Sequence, residues 1–261
     1  MLTLASDFGT PYPAAMKGVV LDRLGEDTTL VDVGHDFPRQ DVRTAAFWLR
    51  ETLPYFPPAV HLAVVDPGVG TDRAALAVRV GDHALVGPDN GLLLPPARVL
   101  AEQQDADIEV FDVAYDAPES TTFHGRDVFA PVAAEVHEVG VDAMARLDDL
   151  TRLDEDDYVD LAFSEPTVER DGGATTVTGE VLVIDDFGNT ITNVPGEVLG
   201  DADEAVVEGL TAPIVEAFAD VSRGDRLLTV GSHGYVECDV NHGRGDKAFG
   251  LTLGDEVRFS F

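Results

Sequence analysis

The chain has 261 residues, of which 49 are acidic and only 17 are lysine or arginine, so its formal net charge at pH 7 is −32. Such a negative charge disfavours nucleic acids and anionic membranes as partners. No apolar run approaches the roughly 18 residues that a membrane-spanning helix needs. Because 44% of the residues are hydrophobic, the chain can bury a full core. We therefore predict a soluble globular protein.

The acidic residues are spread along the whole chain instead of forming one block. This distribution is typical of the solvated surface of a halophilic protein, although an acidic face for a basic partner or for cations stays open. The single cysteine, Cys238, excludes an internal disulfide and agrees with a reducing cytosol. The amino terminus lacks the basic region and cleavage pattern of a signal peptide. We predict a cytoplasmic location.

The first half of the chain alternates short apolar runs with helical patterns, which predicts an α/β domain over residues 1–155. Strands are predicted at 2–6, 30–33, 60–65, 74–80, 83–86 and 108–112. Helices are predicted at 13–24, 41–53 and 127–139, with Asp41 as the N-cap of the second. A central sheet flanked by helices follows from this order.

The sequence pattern changes after residue 140. The acidic stretch 148–157 is the predicted linker region, and beyond it Gly, Asp and Pro separate short strand-like runs. Strands are predicted at 179–184, 205–210, 226–230, 235–240 and 256–261. We predict a smaller all-β, barrel-like domain over residues 165–261.

Two segments of the first domain carry the strongest functional signal. A β-branched run ends at Asp66, a Pro-Gly-Val-Gly turn follows at 67–70, and Arg73 opens the next apolar run. His124 directly precedes a helical pattern. Because ligands of open α/β sheets bind where strands end, the three side chains are candidates for one site. The alternative is structural: a turn at Asp66, a surface ion pair at Arg73, and a helix-start neighbour in His124.

A metal site is the competing chemical interpretation. Asp7, Asp66, Asp89 and His124 all fall at predicted strand ends and could supply oxygen and nitrogen ligands to a cation. The remaining histidines and Cys238 lack the spacing of a metal motif. A metal-dependent hydrolase therefore stays an alternative, whereas our prediction is that no metal is bound.

The chain resembles the S-adenosyl-L-methionine hydroxide adenosyltransferases, which are related to the bacterial fluorinase and chlorinase. The resemblance lies in eight segments in family order, 6–10, 16–18, 40–42, 65–73, 87–91, 122–127, 184–193 and 231–235. It implies an α/β N-terminal domain, a β-barrel C-terminal domain, and a homotrimer with active sites between neighbouring subunits. The implied reaction converts S-adenosylmethionine and water to adenosine and methionine, without a cofactor.

The resemblance assigns catalysis to Asp66, Arg73 and His124. The leaving group is a neutral thioether that needs no acid, so the difficulty lies in the nucleophile, because water has a pKa near 15.7. We expect Asp66 to accept the proton of the water or to orient it, Arg73 to fix Asp66, and His124 to hydrogen-bond the water or relay its proton.

The resemblance also assigns binding roles. Asp7 would accept hydrogen bonds from the ribose 2′ and 3′ hydroxyls. Asp185 and Ser232 match positions that hold the ammonium and the carboxylate of the methionine part. Asn189 matches the residue that contacts the adenine edge, and Phe187 would pack against the base. His233 stands where halogenating relatives have an arginine against the carboxylate.

Two other functions stay open. A chloride adenosyltransferase is disfavoured because a halide about 4 Å from an ionised Asp66 would meet repulsion of roughly 4 kcal/mol at an effective dielectric of 20, or about a thousandfold in occupancy. Gly125 does not exclude chloride, because chlorinase-like members also have glycine there. A sensor that binds S-adenosylmethionine or adenosine without turnover is the second alternative.

Overall fold

The computed structural model describes residues 1–116 and 118–261, which form two compact units, Met1–Ala162 and Phe163–Phe261. The domain limits given above, 1–155 and 165–261, stay a prediction about where an independently folding domain would begin and end. None of the helices in the described part of the chain combines the length and the hydropathy that a membrane span requires.

The first unit is built on a mixed seven-stranded sheet in the order β2-β1-β3-β5-β4-β6-β7. Neighbouring strands are parallel from β2 to β5 and antiparallel from β5 to β7. The strands are β1 Leu2–Ser6, β2 Leu30–Gly34, β3 Val60–Val64, β4 Ala75–Val80, β5 His83–Pro88, β6 Ile108–Val113 and β7 Leu150–Arg152.

The central strands are buried on both faces. All five residues of β1 and all five of β3 are buried, which explains why their sequences are nearly continuous apolar runs and do not alternate. Helices cover the sheet. They are α1 Tyr12–Leu24, α2 Val42–Thr52, α3 Leu94–Gln104 and α4 Ala130–Val139, the last preceded by a π-helical turn at Gly125–Phe129.

The helices pack in pairs, α1 with α4 and α2 with α3. Asp41 caps α2 as predicted, since its Oδ1 accepts a hydrogen bond of 2.9 Å from the backbone N–H of Thr44. From β1 the chain crosses through α1 to β2 on one side, and then through α2 to β3 on the other side of β1. A reversal of this kind opens a crevice at the carboxyl ends of β1 and β3.

Two features of the first unit differ from the sequence predictions. Helix α3 was not predicted, because Pro95 and Pro96 suggest a loop, yet they occupy its first turn, where proline is tolerated. The acidic stretch 148–157 is not simply a linker, because Leu150–Arg152 forms the edge strand β7 and pairs with β6. Backbone pairing with an existing edge does not require an apolar sequence.

The second unit is a nearly barrel-shaped antiparallel sheet in the order β12-β11-β15-β9-β10-β14-β13, with β8 paired to β9. A bridge between Ile214 and Leu228 brings the β12 end of the sheet to β13. These strands are β8 Thr167–Asp171, β9 Ala174–Ile184, β10 Thr190–Pro195, β11 Glu204–Val207, β12 Leu210–Pro213, β13 Arg226–Val230, β14 Tyr235–Val240 and β15 Glu256–Ser260, with one short helix, α5 Gly245–Phe249. The predicted fold class is therefore confirmed.

Candidate active site

Asp66, Arg73 and His124 meet at the carboxyl end of β3. The Nη2 atom of Arg73 donates one hydrogen bond to Asp66 Oδ2 at 2.7 Å and lies 3.2 Å from His124 Nδ1. The side chains of Asp66 and Arg73 are only 3% and 8% exposed. The surface ion pair considered for Arg73 is therefore wrong, because this pair is buried and bridges two loops.

Burial raises the pKa of Asp66, although the guanidinium of Arg73 and the N–H of Gly68 favour the carboxylate. Gly68 donates to Asp66 Oδ1 at 3.2 Å, while Arg73 occupies Oδ2. A carboxylate has about four acceptor positions, so lone pairs remain for a further donor. Asp66 combines the basicity of a buried carboxylate with a fixed orientation.

His124 is held in one protonation state by its neighbour. Arginine can only donate, so His124 Nδ1 must accept, and the ring proton is assigned to Nε2. Burial lowers the pKa of His124 and Arg73 lowers it further, while Asp66 opposes this effect. The ring is therefore neutral and offers an N–H donor at Nε2, which suits contact with a water oxygen.

The loop that carries Asp66 is held by two close contacts. Gly70 has φ +79°, and a Cβ there would lie 2.7 Å from the carbonyl oxygen of Thr121, so this glycine lets the loop pack against the segment that leads to His124. Asn90 Nδ2 donates to the carbonyl of Val65, the residue before Asp66, at 2.9 Å. This side-chain contact fixes the backbone that leads into Asp66.

A cavity of about 500 Å³ opens beside Asp66 and His124. Part of its wall is aromatic: Phe123 makes edge contacts with Phe8 at 5.9 Å and with Tyr12 at 5.4 Å between ring centroids. Aromatic faces attract cations and stack on planar rings. The full lining is Phe8, Tyr12, Arg39, Val64, Asp66, Val69, Ser120, Thr122, Phe123, His124, Gly125 and Arg126.

Sequence reasoning missed this aromatic wall. A signal was present, since Phe8 lies four residues before Tyr12, the first residue of α1, and Phe123 directly precedes His124. Gly125 completes the wall, because a Cβ there would lie 3.1 Å from both Met16 Sδ and a ring carbon of Phe8. The glycine is thus required by close packing.

Asp7 follows β1 and is 8% exposed. Its Oδ2 accepts a hydrogen bond of 2.7 Å from the backbone N–H of Gln40. Asp7 does not line the cavity itself, but the adjacent Phe8 does. The structure therefore places Asp7 at the same crevice, beside the cavity.

The predicted binding residues of the second unit fall on two turns. Asn189 donates to both carboxylate oxygens of Asp185, from its backbone N–H at 2.8 Å and from Nδ2 at 3.0 Å, so these residues brace the β9–β10 turn. Phe187, at the tip of the same turn, is 78% exposed. Ser232 Oγ lies 3.3 Å from His233 Nδ1 in the β13–β14 turn.

Glu237 lies between these two turns. A Cβ on Gly231 would meet the carboxylate of Glu237, and the charge of Asp185 is close enough to raise the pKa of Glu237. Burial is the larger cause, and the pKa of Glu237 reaches about 7. Two residues along the same strand, Asp239 is fully buried and has a pKa raised to about 8, again first by burial and then by the charges of Glu237 and Asp185. Neither carboxylate oxygen of Asp239 has a hydrogen-bond partner among the described residues, so this carboxyl group is protonated at neutral pH.

Within residues 1–116 and 118–261, no group of three or more histidine, cysteine, aspartate or glutamate side chains is arranged to hold a metal ion. The four candidates are instead engaged with the protein. Asp7 and Asp66 accept hydrogen bonds as described, His124 contacts Arg73, and Asp89 accepts one of 2.8 Å from the backbone N–H of Val159. This geometry gives the metal-dependent alternative no support.

Both units of the chain match models of known protein domains. A model of the SAM hydroxide adenosyltransferase N-terminal domain matches residues 2–145, and one of the corresponding C-terminal domain matches residues 179–258. The chain is 41% identical to an (R)-S-adenosyl-L-methionine hydrolase of Salinispora tropica, covering 98% of this chain and 96% of that protein. It is 39% identical to a Thermus thermophilus protein of the same name, covering 97% and 96%.

A crystal structure of an uncharacterised conserved protein from Thermotoga maritima is similar throughout, with a TM-score of 0.81, 32% identity and coverage of 99% of both chains. Sequence and fold thus agree with the resemblance inferred from the eight segments. The chain belongs to the SAM hydroxide adenosyltransferase family.

Proposed function

We propose that this protein hydrolyses S-adenosyl-L-methionine to adenosine and L-methionine by attack of water at C5′, without a metal. The observation that carries the proposal is the buried Asp66, bridged through Arg73 to a neutral His124 beside an aromatic-walled cavity. Relatives about 40% identical over nearly the whole chain are named (R)-S-adenosyl-L-methionine hydrolases. We propose the same preference for the (R) form.

The chemistry fits the three side chains. Water attacks C5′, the C5′–S bond breaks, and the electron pair leaves with the sulfur as neutral methionine, while the proton of the water passes to a base. Asp66 is the proposed proton acceptor, because burial raises its basicity. The Nε2–H of His124 holds the water oxygen, which orients a lone pair toward C5′. Orientation of this kind is worth up to roughly 7 to 11 kcal/mol.

Arg73 has two roles in this proposal. Its charge keeps Asp66 ionised in a buried position, and its Nη2–H fixes the tautomer of His124. Removing it would therefore affect both the protonation of the base and the direction of the donor.

Substrate binding is proposed for both units. Asp7 would accept the ribose hydroxyls, while Asp185, Ser232 and His233 would hold the amino acid part. Asn189 and the exposed ring of Phe187 would contact adenine, and the exposure of that ring is what a stacking role requires.

We propose a homotrimer with active sites at subunit interfaces, a cytoplasmic location and adaptation to high salt. The net charge of −32 supports the last point, because it would be screened at high ionic strength. Light scattering across a potassium chloride series, coupled to size-exclusion chromatography, measures the oligomer. A monomeric, fully active enzyme would contradict the trimer.

The deciding experiment is product analysis. The purified protein is incubated with S-adenosylmethionine and EDTA in high potassium chloride, and adenosine, methionine and 5′-chloro-5′-deoxyadenosine are separated by chromatography. Asp66→Ala is the test variant. Asp72→Ala, on an exposed residue of the same loop, is the matched control.

We expect adenosine and methionine in equal amounts with EDTA present, loss of activity in Asp66→Ala, and wild-type activity in Asp72→Ala. Chlorinated product would establish the chloride transferase instead. Binding without turnover would establish the sensor, and loss of activity in EDTA that added metal restores would establish a metal enzyme.

A further inference from the structure

A chain of four hydrogen-bonded side chains adjoins the candidate site, and no role has been given to it above. Ser6 Oγ lies 2.8 Å from His35 Nδ1, and His35 Nε2 lies 3.1 Å from Asp32 Oδ1. Lys17 Nζ donates to Asp32 Oδ2 at 2.6 Å. We call Ser6, His35, Asp32 and Lys17 the His35 network. It links the end of β1 to β2, α1 and the loop after β2.

The direction of these hydrogen bonds follows from the partners. Burial acts to raise the pKa of Asp32, but the hydrogen bonds from Lys17 and His35 outweigh it and lower this pKa, so Asp32 is an anion at neutral pH. An anion accepts, so His35 Nε2 carries a proton and donates; in the neutral ring, Nδ1 is then assigned as the acceptor of the Ser6 hydroxyl.

Ser, His and Asp in this order are also the residues of a hydrolytic triad. Ser6 is 0% exposed, so its oxygen cannot reach a substrate in this structure. A nucleophile must lie within reach of the reacting atom. The network therefore has a structural role: it holds the loop that begins at Asp7.

The same loop after β2 holds residues 7–9 through two further contacts. The carbonyl of His35 accepts a hydrogen bond of 2.7 Å from the N–H of Gly9. The N–H of Gln40 donates to Asp7 Oδ2 at 2.7 Å, and Gln40 has φ +62°, a left-handed conformation that non-glycine residues rarely adopt. Strained backbone of this kind persists where the surroundings impose it.

We propose that His35 is a positioning residue that fixes the Asp7 carboxylate for recognition of the ribose of a nucleoside. This inference rests on the proposed function and deepens it. Asp7 directly follows Ser6, the last residue of β1, so anchoring Ser6 fixes the backbone from which the Asp7 side chain projects. Asp7 Oδ2 is occupied by Gln40, and no described residue hydrogen-bonds Oδ1, which is left for a sugar hydroxyl.

The test is nucleoside binding by isothermal titration calorimetry, which does not depend on turnover. Adenosine and 2′-deoxyadenosine are titrated into wild type, His35→Ala, Asp7→Ala and the double variant. We expect His35→Ala to weaken adenosine binding roughly 5- to 10-fold, as the loss of one or two hydrogen bonds does. We also expect the preference for adenosine over 2′-deoxyadenosine to shrink, because the carboxylate that contacts the 2′ hydroxyl is no longer fixed.

In the Asp7→Ala background, His35→Ala should change adenosine affinity by less than about twofold, since two residues that act through one contact are not additive. In turnover assays the KM should rise while kcat changes little. Partial rescue is expected in His35→Asn, whose side-chain oxygen can replace Nδ1 as acceptor for Ser6. His35→Gln, which replaces Nε2, should rescue less.

His137→Asn is the matched control. His137 is a half-buried histidine that contacts the amino terminus at 3.0 Å and does not line the candidate cavity, so its substitution should leave the ratio of the two dissociation constants unchanged. Thermal unfolding confirms that every variant is folded.

Additive effects of His35→Ala and Asp7→Ala, or an unchanged preference for adenosine in folded His35→Ala, would overturn the role of His35 alone. A wild-type protein that neither binds adenosine nor consumes S-adenosylmethionine would refute the proposed function, and the inference with it. The two failures are therefore distinguishable.

Discussion

Replacing Arg73 with methionine tests the electrostatic design of the site. The substitution removes the guanidinium but keeps an unbranched side chain, which can still pack against the ring of Phe129, 5.0 Å from the guanidinium carbon. With Nη2 of Arg73 2.7 Å from Asp66 Oδ2, the centres of charge are about 4 Å apart. At an effective dielectric of 20 their attraction is about 4 kcal/mol.

That energy converts to a rise of about 3 in the pKa of Asp66, at 1.36 kcal/mol for each unit. Burial already raises the pKa of Asp66 in the wild type, and loss of the guanidinium raises it further, so a larger fraction of Asp66 would be protonated at neutral pH in the variant. We expect kcat/KM at neutral pH to fall steeply and to recover partly as pH rises toward 9. The acid limb of the profile should move upward by roughly 2 to 3 pH units.

The free energy of unfolding should also fall in Arg73→Met. Leaving one partner of a buried ion pair uncompensated costs about 3 to 5 kcal/mol. This cost should be largest at high pH, where Asp66 is charged, and smaller at low pH, where it is protonated. The double variant Arg73→Met with Asp66→Asn removes both charges and should regain much of the stability, as measured by chemical denaturation.

The assay is release of adenosine from S-adenosylmethionine between pH 5 and pH 10. A profile that is lowered equally at every pH, with its acid limb unmoved, would refute the argument. It would mean that Arg73 does not set the protonation of Asp66, or that Asp66 is not the group whose ionisation limits the rate.

Two further predictions concern the backbone and the second unit. Gly70→Ala places a Cβ 2.7 Å from the carbonyl oxygen of Thr121 at φ +79°, so it should destabilise the protein by about 1 to 3 kcal/mol and lower kcat at least about tenfold. Gly172→Ala, at φ +56° with open space around it, is the control. An equal loss of activity in both variants would contradict the role of the close contact at Gly70. Asp239→Asn replaces the buried, titratable carboxyl group beside Glu237 with a neutral amide. Because folding raises both pKa values, to about 8 and about 7, their contribution to stability is present below about pH 4 and is lost as pH rises through these values. Between pH 5 and pH 7 the wild type should lose at most about 1.4 kcal/mol for each pH unit from each of the two groups. The variant keeps only the contribution of Glu237, so its stability should depend less steeply on pH and should be higher than that of the wild type at pH 8. Urea denaturation that shows the same slope in both proteins would contradict this prediction.

Much of the first unit could be predicted because its signals are local. Strands β1 and β3 are buried on both faces and therefore read as apolar runs, and the Asp41 cap has its partner only three residues away. Helix α3 was missed for the same reason, since two prolines in its first turn suggest a loop in any local window. Strand β7 was missed because it is specified by pairing with β6 and not by its own residues.

The candidate site likewise has features that local sequence predicts and features that depend on long-range packing. Local patterns are enough to place Asp66, Arg73 and His124 at the ends of elements, because neighbouring residues specify a strand, a glycine turn and a helix start. The contact of the Arg73 guanidinium with both Asp66 and His124, which lies 51 positions further along the chain, forms only when the chain has folded. The pKa values, the neutral state of His124 and the His35 network depend on burial and on long-range distances. Those quantities exist only when distant segments have packed together, which is why no local pattern could specify them.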